Sequence, residues 1–269
     1  MIADCHMHTV LCGHAAGDID DYVRTAASRG IDLVTITCHV PVDDDRYGGT
    51  RIRMKAAQLD DYRRLVDRAR ATGAALGVEV LCGIEAEICV TPEETSLMDR
   101  CLVGQNWDFV LGSLHHQMPV WRQWFRAQGL LGDDRAVINR YYELLAAAVG
   151  SGRYHSFSHP DVIRLYGTVQ RYETAEHEDR IRALIAEVVR HDLCLEVNTS
   201  GVRKAGEFHP APDFLRWARE ADCKLTLGSD AHHPHEVGQE FEPTLNSLRA
   251  NGFTELHYHR GGHRVAYKL

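Results

Sequence analysis

Ile2-Ala-Asp-Cys-His-Met-His-Thr9 carries two histidines, His6 and His8, one residue apart at the end of a short apolar run. In an extended segment alternate side chains share a face, so both imidazoles can reach one cation. Reading outward, the same pattern recurs along the chain. His14 follows in the first loop. His39 follows Leu33-Val-Thr-Ile-Thr-Cys38. Glu85 stands in Gly83-Ile-Glu-Ala-Glu87, His115 in Leu111-Gly-Ser-Leu-His115, and His159 in Ser156-Phe-Ser-His-Pro-Asp161. Asp230 and His232 stand in Leu227-Gly-Ser-Asp-Ala-His232. Nine nitrogen and oxygen donors, each at or just past a short apolar run, imply one shared multinuclear metal site. A single buried histidine is more often a satisfied core residue, but a set of this size needs cations to offset its burial. The donor types favour zinc, manganese or iron over calcium or magnesium.

The runs that carry these donors read as strands over residues 2–5, 33–38, 80–85, 109–113, 155–158, 193–198 and 225–228. Helical periodicity fills most of the gaps. A helix over 18–29 opens on acidic residues and ends before Gly30, and one over 56–72 stops at Gly73. Thr91-Pro-Glu-Glu94 reads as a capping box with proline at the first helical position. Further helices are expected over 137–149, 176–191, 213–220 and 243–250, and a terminal hairpin over 253–269 turns at Gly261-Gly262. Strands alternating with helices make a parallel α/β protein. Because every donor follows a strand's C-terminal end, a closed barrel fits better than an open sheet, which would gather ligands at one switch point. The whole chain, 1–269, is read as one domain. Gly48-Gly49 and Gly261-Gly262 stand in no dinucleotide fingerprint.

Composition narrows the function classes. The net charge of -8, with no long basic run, argues against a nucleic-acid backbone as the main ligand. The first residues are too polar for a secretory signal and no run is long enough to span a membrane, so a cytoplasmic protein is expected. Eight cysteines without a Cys-x-x-Cys pair read as free thiols; Cys5 and Cys38, beside proposed ligands, are taken as inert core thiols rather than soft ligands.

Taken together, the opening His-x-His-Thr, Cys12-Gly-His14, the Gly-x-Glu and Gly-Ser-x-His motifs and Gly-Ser-Asp-Ala-His resemble the polymerase and histidinol phosphatase (PHP) superfamily of metal-dependent phosphoesterases. The likeness runs over nearly the whole chain. It is greatest to the stand-alone histidinol-phosphatase branch, through Glu196-Val-Asn-Thr-Ser-Gly-Val-Arg203 and Asp230-Ala-His-His-Pro-His-Glu-Val-Gly238. The resemblance implies a distorted (βα)7 barrel with three divalent ions at the C-terminal ends of its strands. His6, His8, Glu85 and Asp230 would hold one ion. Glu85 would bridge to a second, held with His115 and His159. His14, His39 and His232 would hold the third. The family usually has an acidic residue where this chain has Cys38, which bears on His39 and the third ion. His115 rather than its neighbour His116 matches the motif.

The activity so implied is hydrolysis of a small phosphate monoester, most simply L-histidinol phosphate, by a metal-bridging hydroxide at the pair sharing Glu85. A metal-bound water, Asp230 or His232 would assist the leaving group. Arg203, Arg51 and Arg53 are candidate phosphate contacts, because a guanidinium forks onto phosphate oxygens. Asn198 and Ser200 are further candidates, and Asp161, Glu87 or Asp43 could meet a substrate amine or imidazole. Glu87 reads either as a support for the ligands or as a solvated carboxylate. His233 and His235 are read as loop residues, and His177, His191, His257, His259 and His263 as surface histidines. Trp121, Trp124 and Phe125 fall in the loop after the fourth strand, as a lid or as packing. The alternatives are an esterase for phosphodiesters, nucleotides or another phosphorylated metabolite, and a non-catalytic metal-binding module, which the retention of all nine donors disfavours.

Overall fold

The computed structural model describes residues 1–48 and 51–269; Gly49 and Thr50 lie outside the described residues. Among the described residues nine strands form one sheet in sequence order: β1 (Ala3–Asp4), β2 (Leu33–Ile36), β3 (Glu79–Glu87), β4 (Phe109–Ser113), β5 (Ser156–Phe157), β6 (Cys194–Asn198), β7 (Lys224–Gly228), β8 (Glu255–Arg260) and β9 (His263–Lys268). Neighbours are parallel up to β8, and β9 returns antiparallel to it. The segment that extends β1 is hydrogen-bonded on both sides. Thr37 N–H donates to Met7 O (2.9 Å) toward β2. Toward β7, Cys5 N–H donates to Leu227 O (2.8 Å), Asp230 N–H to His6 O (2.8 Å) and His8 N–H to Ala231 O (2.9 Å). The first and seventh strands therefore meet, and seven parallel strands close into a barrel.

Nearly every residue of β2, β4 and β6 is buried on both faces, as helix-covered parallel strands require. The cover comprises α1 (Ile19–Ser28), α2 (Leu59–Leu76), α3 (Pro92–Leu102), α4 (Pro119–Ala127), α5 (Asp134–Val149), α6 (Glu178–Arg190), α7 (Ser200–Ala205), α8 (Pro212–Glu220) and α9 (Phe241–Ala250). Asp18 caps α1 by accepting from Asp20 N–H, and Thr91 and Glu94 form the expected capping box on α3. Among the described residues no helix is long and apolar enough to cross a membrane.

Three expectations are corrected. First, α2 does not stop at Gly73 but runs to Leu76 and is closed by Gly77 at φ 75°. Gly73 serves close approach instead: a Cβ there would lie 2.3 Å from Val78 O, where the chain turns into β3. Second, the loop after β4 contains α4. Trp121 and Phe125, four residues apart, are buried on its inner face, with Trp124 against Phe125 at 5.5 Å between centroids, so the cluster is packing. Third, three of the five surface histidines are buried: His177, His257 and His259.

The last two owe their burial to β8 and β9. This hairpin, turning at Gly261 and Gly262 with positive φ, leaves β7 through the pairing of Thr226 with His257 and covers the barrel's N-terminal mouth. Gly261 N–H donates to Asp108 Oδ1 (2.8 Å), Arg260 pairs with Glu79, and Arg264 pairs with Asp192 (2.7 Å), near the starts of β4, β3 and β6. His259 stacks between Phe109 and His155, at 5.0 and 4.9 Å. With that mouth covered, the opposite mouth, at the strands' C-terminal ends, is left for a site.

Candidate metal centre

Glu85, near the end of β3, is the hub. It is 1% exposed and its two oxygens divide the surrounding imidazoles. Oε2 lies 2.8 Å from His39 Nδ1, 3.6 Å from His6 Nε2 and 3.7 Å from His8 Nε2. Oε1 lies 3.5 Å from His115 Nε2 and 3.4 Å from His159 Nε2, and accepts from Ser113 Oγ at 2.6 Å. Asp230 Oδ1 stands 3.1 Å from His8 Nε2 and 3.6 Å from His6 Nε2. His14 and His232 meet at the outer edge, Nε2 to Nε2, at 2.8 Å. All nine donors singled out in the sequence thus converge on one end of the barrel. Two are held in left-handed backbone, His159 at φ 24° and Asp230 at φ 51°, a conformation non-glycine residues adopt at a cost that packing must offset.

The proton bookkeeping of these rings calls for cations. His14 Nδ1 is 3.1 Å from Cys12 O, and His232 Nδ1 is 2.9 Å from Asp230 O. A carbonyl only accepts, so each Nδ1 carries the proton and the two Nε2 atoms face each other as bare lone pairs. His6 Nδ1 is 2.7 Å from Glu196 Oε1, and His115 Nδ1 bonds Glu87 Oε1. Their Nε2 lone pairs likewise point at the Glu85 carboxylate and, for His6, at His8 Nε2 3.1 Å away. Lone pairs opposed to lone pairs and carboxylates are the arrangement a bound divalent ion stabilises. Eight of the nine, all but His159, fall in clusters whose ligand atoms lie within 4.8 Å of one another, among them His6, His8 and Asp230, and His39, Glu85 and His115.

A supporting layer fixes the ligands, and the sequence reading found only part of it. Glu196 on β6 accepts from His6 Nδ1, from His159 N–H (2.9 Å) and from Asn198 Nδ2 (2.9 Å). It escaped notice, although strand alternation places it on the same face as Asn198. Gly228 makes room for it: a Cβ there would sit 2.3 Å from Glu196 Oε1. Glu87 is fully buried between His115 and Arg53, which settles it as a support for the ligands. Cys38 Sγ accepts from Thr9 Oγ1 at 3.4 Å and clusters with His8 and Cys12 within 4.8 Å, so a thiol stands beside the proposed ligand His8. His116 bonds Thr168 Oγ1 and Val162 O, which leaves neither ring nitrogen for an ion.

Electrostatics follow this geometry. Burial works against ionised Glu85, but His39, His115 and His6 outweigh it and hold the carboxyl well below its ordinary range. Burial likewise opposes ionised Asp230, and Lys204, His6 and His8 prevail. His8 is driven down by burial, yet bonds to Asp230 and Cys38 lift it to about 9, and His6 and His115 are raised by their carboxylates despite burial. His14, His39, His159 and His232 are held below the usual imidazole value, chiefly by burial. Without cations, protons take their place on His6, His8 and His115.

A cavity of about 570 Å³ opens over the donors. Its walls include Arg203, Lys204, Ser200, His209, Tyr166 and Glu236. Lys204, which the sequence reading missed, reaches Asp230 Oδ2 at 3.1 Å beside Ser200 Oγ at 2.9 Å. Arg203 lies on the rim, 3.4 Å from Glu236 and 3.3 Å from Gln239. The other predicted substrate contacts are placed elsewhere. Arg53, 1% exposed, is committed to Glu87 and Tyr47 O. Asn198 braces Glu196 and Ser200 N–H, and Arg51 is exposed outside the cavity wall.

Comparison with known proteins agrees with this picture. Residues 4–200 match the PHP domain family. A protein of Deinococcus radiodurans named probable histidinol-phosphatase is 32% identical over 96% of this chain and 97% of its own. The probable phosphatase YcdX of Escherichia coli is 28% identical over 93% of this chain and 86% of its own. The crystal structure of histidinol phosphate phosphatase from Lactococcus lactis, complexed with zinc, L-histidinol and phosphate, superimposes with a TM-score of 0.79 at 18% identity, covering 98% of both chains.

Proposed function

Since this chain belongs to the PHP family, as a metal-dependent phosphoesterase with the family's barrel, we propose that it hydrolyses L-histidinol phosphate to L-histidinol and inorganic phosphate. The observation that carries the reading is the ring of imidazole Nε2 atoms gathered around Glu85 and Asp230, in a cavity walled by Lys204 and Arg203. Three divalent ions of zinc, manganese or iron, placed among the nine donors as the family resemblance implies, would neutralise the phosphoryl oxygens and bring the pKa of water near neutrality.

The chain's own residues do the rest. Glu85 spans the His6–His8 and His115–His159 pairs and sets their spacing. Glu196 and Glu87 fix the tautomers of His6 and His115 so that Nε2 is free to bind. Arg203 and Lys204 meet the phosphate. Lys204 is held cationic by Asp230 against the cost of burial, and Arg203 is steered by Glu236. Asp230 and His232, both on the cavity wall, would assist the leaving group. The cavity suits a small monoester; among the described residues Tyr166 is the one Phe, Tyr or Trp on its walls.

The test is phosphate release from a panel of monoesters that includes L-histidinol phosphate, with bis-p-nitrophenyl phosphate as the diester, in protein supplied with manganese or zinc. A kcat/KM for L-histidinol phosphate well above the rest, lost on chelation, is expected. Flat activity across the panel, or preference for the diester, refutes the substrate; activity that survives complete metal removal refutes the chemistry.

A further inference from the structure

His209 belongs to none of the motifs above, yet it borders the cavity. It is 1% exposed and held on two sides. Its backbone pairs with Asn198 through both N–H···O bonds, at 2.8 and 2.9 Å, so it is tied to the end of β6. Its ring bonds Asp161 Oδ1 through Nδ1, and Arg164 Nη2 stands 3.2 Å from the same nitrogen, farther off than the carboxylate oxygen. Asp161 is itself fully buried. Its other oxygen accepts from Ala211 N–H at 2.7 Å and lies 3.4 Å from Arg164 Nε. The Cδ2 side of the ring packs on Gly201, where a Cβ would come within 2.7 Å. With Nδ1 and Cδ2 both occupied, the Cε1–Nε2 edge is the part of this cavity-lining ring left uncommitted, and the ring centroid lies 6.4 Å from that of His159. Nε2 is buried and has no hydrogen-bond partner among the described residues.

A buried imidazole nitrogen without a partner costs roughly as much as a lost hydrogen bond, so a position built around one points to an absent partner. The acceptor on Nδ1 decides what that partner is. A carboxylate fixes the proton on Nδ1, which leaves Nε2 as a lone pair that accepts and does not donate. We propose that Asp161 and His209 form a substrate subsite, in which His209 Nε2 accepts a hydrogen bond from an N–H group on the organic part of the phosphate ester. The dyad would thereby select nitrogen-bearing esters over plain alkyl phosphates. This rests on the proposed function and deepens it. Arg203 and Lys204 attract the phosphate, and His209 reads what the phosphate is attached to.

The comparison substrate is n-butyl phosphate, which shares the alkoxide leaving group of L-histidinol phosphate but has no N–H. Leaving-group protonation then weighs on both esters alike, and the ratio of their kcat/KM values isolates the contact. H209L is expected to lower that ratio by roughly tenfold or more, mainly through KM for L-histidinol phosphate, with metal content by elemental analysis unchanged. D161N is the sharper variant because the ring stays in place. Ala211 N–H claims the one oxygen of asparagine and turns its NH2 onto His209 Nδ1, so the proton moves to Nε2 and the acceptor is lost. D161N should lower the ratio as H209L does, while H209Q, which keeps a carbonyl acceptor, recovers part of it. An unchanged ratio in D161N, or equal losses on both esters, overturns the subsite and leaves the phosphatase reading standing. A wild-type protein that turns over both esters alike refutes that reading and the subsite together.

Discussion

Replacing Glu196 by glutamine removes one charge and little volume, yet the structure predicts a large effect on metal affinity. Glu196 faces three donors: His6 Nδ1 at 2.7 Å on one oxygen, and His159 N–H and Asn198 Nδ2, both at 2.9 Å, on the other. Glutamine has one oxygen to offer. If it faces His159 and Asn198, the new NH2 points at His6 Nδ1, the proton shifts to Nε2 and His6 ceases to be a ligand. If it faces His6, the NH2 opposes two donors in a buried site. Either choice weakens the ion held by His6, His8 and Asp230. Loss of such a supporting carboxylate typically costs about 10- to 100-fold in affinity, or roughly 1.4–2.7 kcal/mol. The assay is titration of the chelator-stripped protein with zinc against a chromophoric competitor, with circular dichroism as the control for folding. An E196Q protein that is folded and binds every ion within threefold of wild type refutes the argument from tautomer control.

Other outcomes follow from the same geometry. Stripping the ions should abolish phosphate release, and zinc or manganese should restore it; ions at about 100 times their Kd should also raise unfolding stability by roughly 2.7 kcal/mol per independent site, read as a shift in Tm. Glu87 is opposed by burial but held down to about 2 by His115 and Arg53. Its contribution is therefore complete above the ordinary carboxylate value and lost as pH falls from about 4.5 toward 2, a loss on the order of 3 kcal/mol. Urea unfolding of E87Q across pH 2–6 should show a shallower acid slope than wild type, and an unchanged slope would count against the pairing. R203K keeps the charge but not the fork; if Arg203 grips phosphate, KM for the monoester should rise about tenfold with a smaller change in kcat, as steady-state kinetics would show.

The strand-end histidines were legible because the two constraints on them are local. A parallel strand must be apolar, and its last residues must face the barrel mouth, so His6, His39, Glu85, His115 and Asp230 each announce themselves beside an apolar run. The supports were harder to see. Glu196 and Glu87 act through residues far away in sequence, and nothing beside them in the chain marks their partners. Arg53 misled for the opposite reason. An arginine near a proposed phosphate site looks like a ligand for phosphate, whereas a buried carboxylate, Glu87, had already claimed its charge. His257 and His259 stand near the chain's end, outside every motif, and read as surface, but a hairpin laid across the barrel mouth buries all four central residues of β8. His209 was invisible because its meaning depends on Asp161 and Gly201, which only tertiary structure brings to it.

Barrel closure also sets a timetable. His14 meets His232 across 218 residues of chain, and Asp4 receives the Ser229 N–H across 225. During synthesis the amino-terminal histidines emerge first and stay without Asp230 until the seventh strand has left the ribosome. Until then they are a His-x-His pair on an unfinished sheet edge, able to pick up a passing ion only loosely and without selectivity. The complete donor set exists only once the two ends of the barrel have joined, so selective binding waits on the closing of the seam.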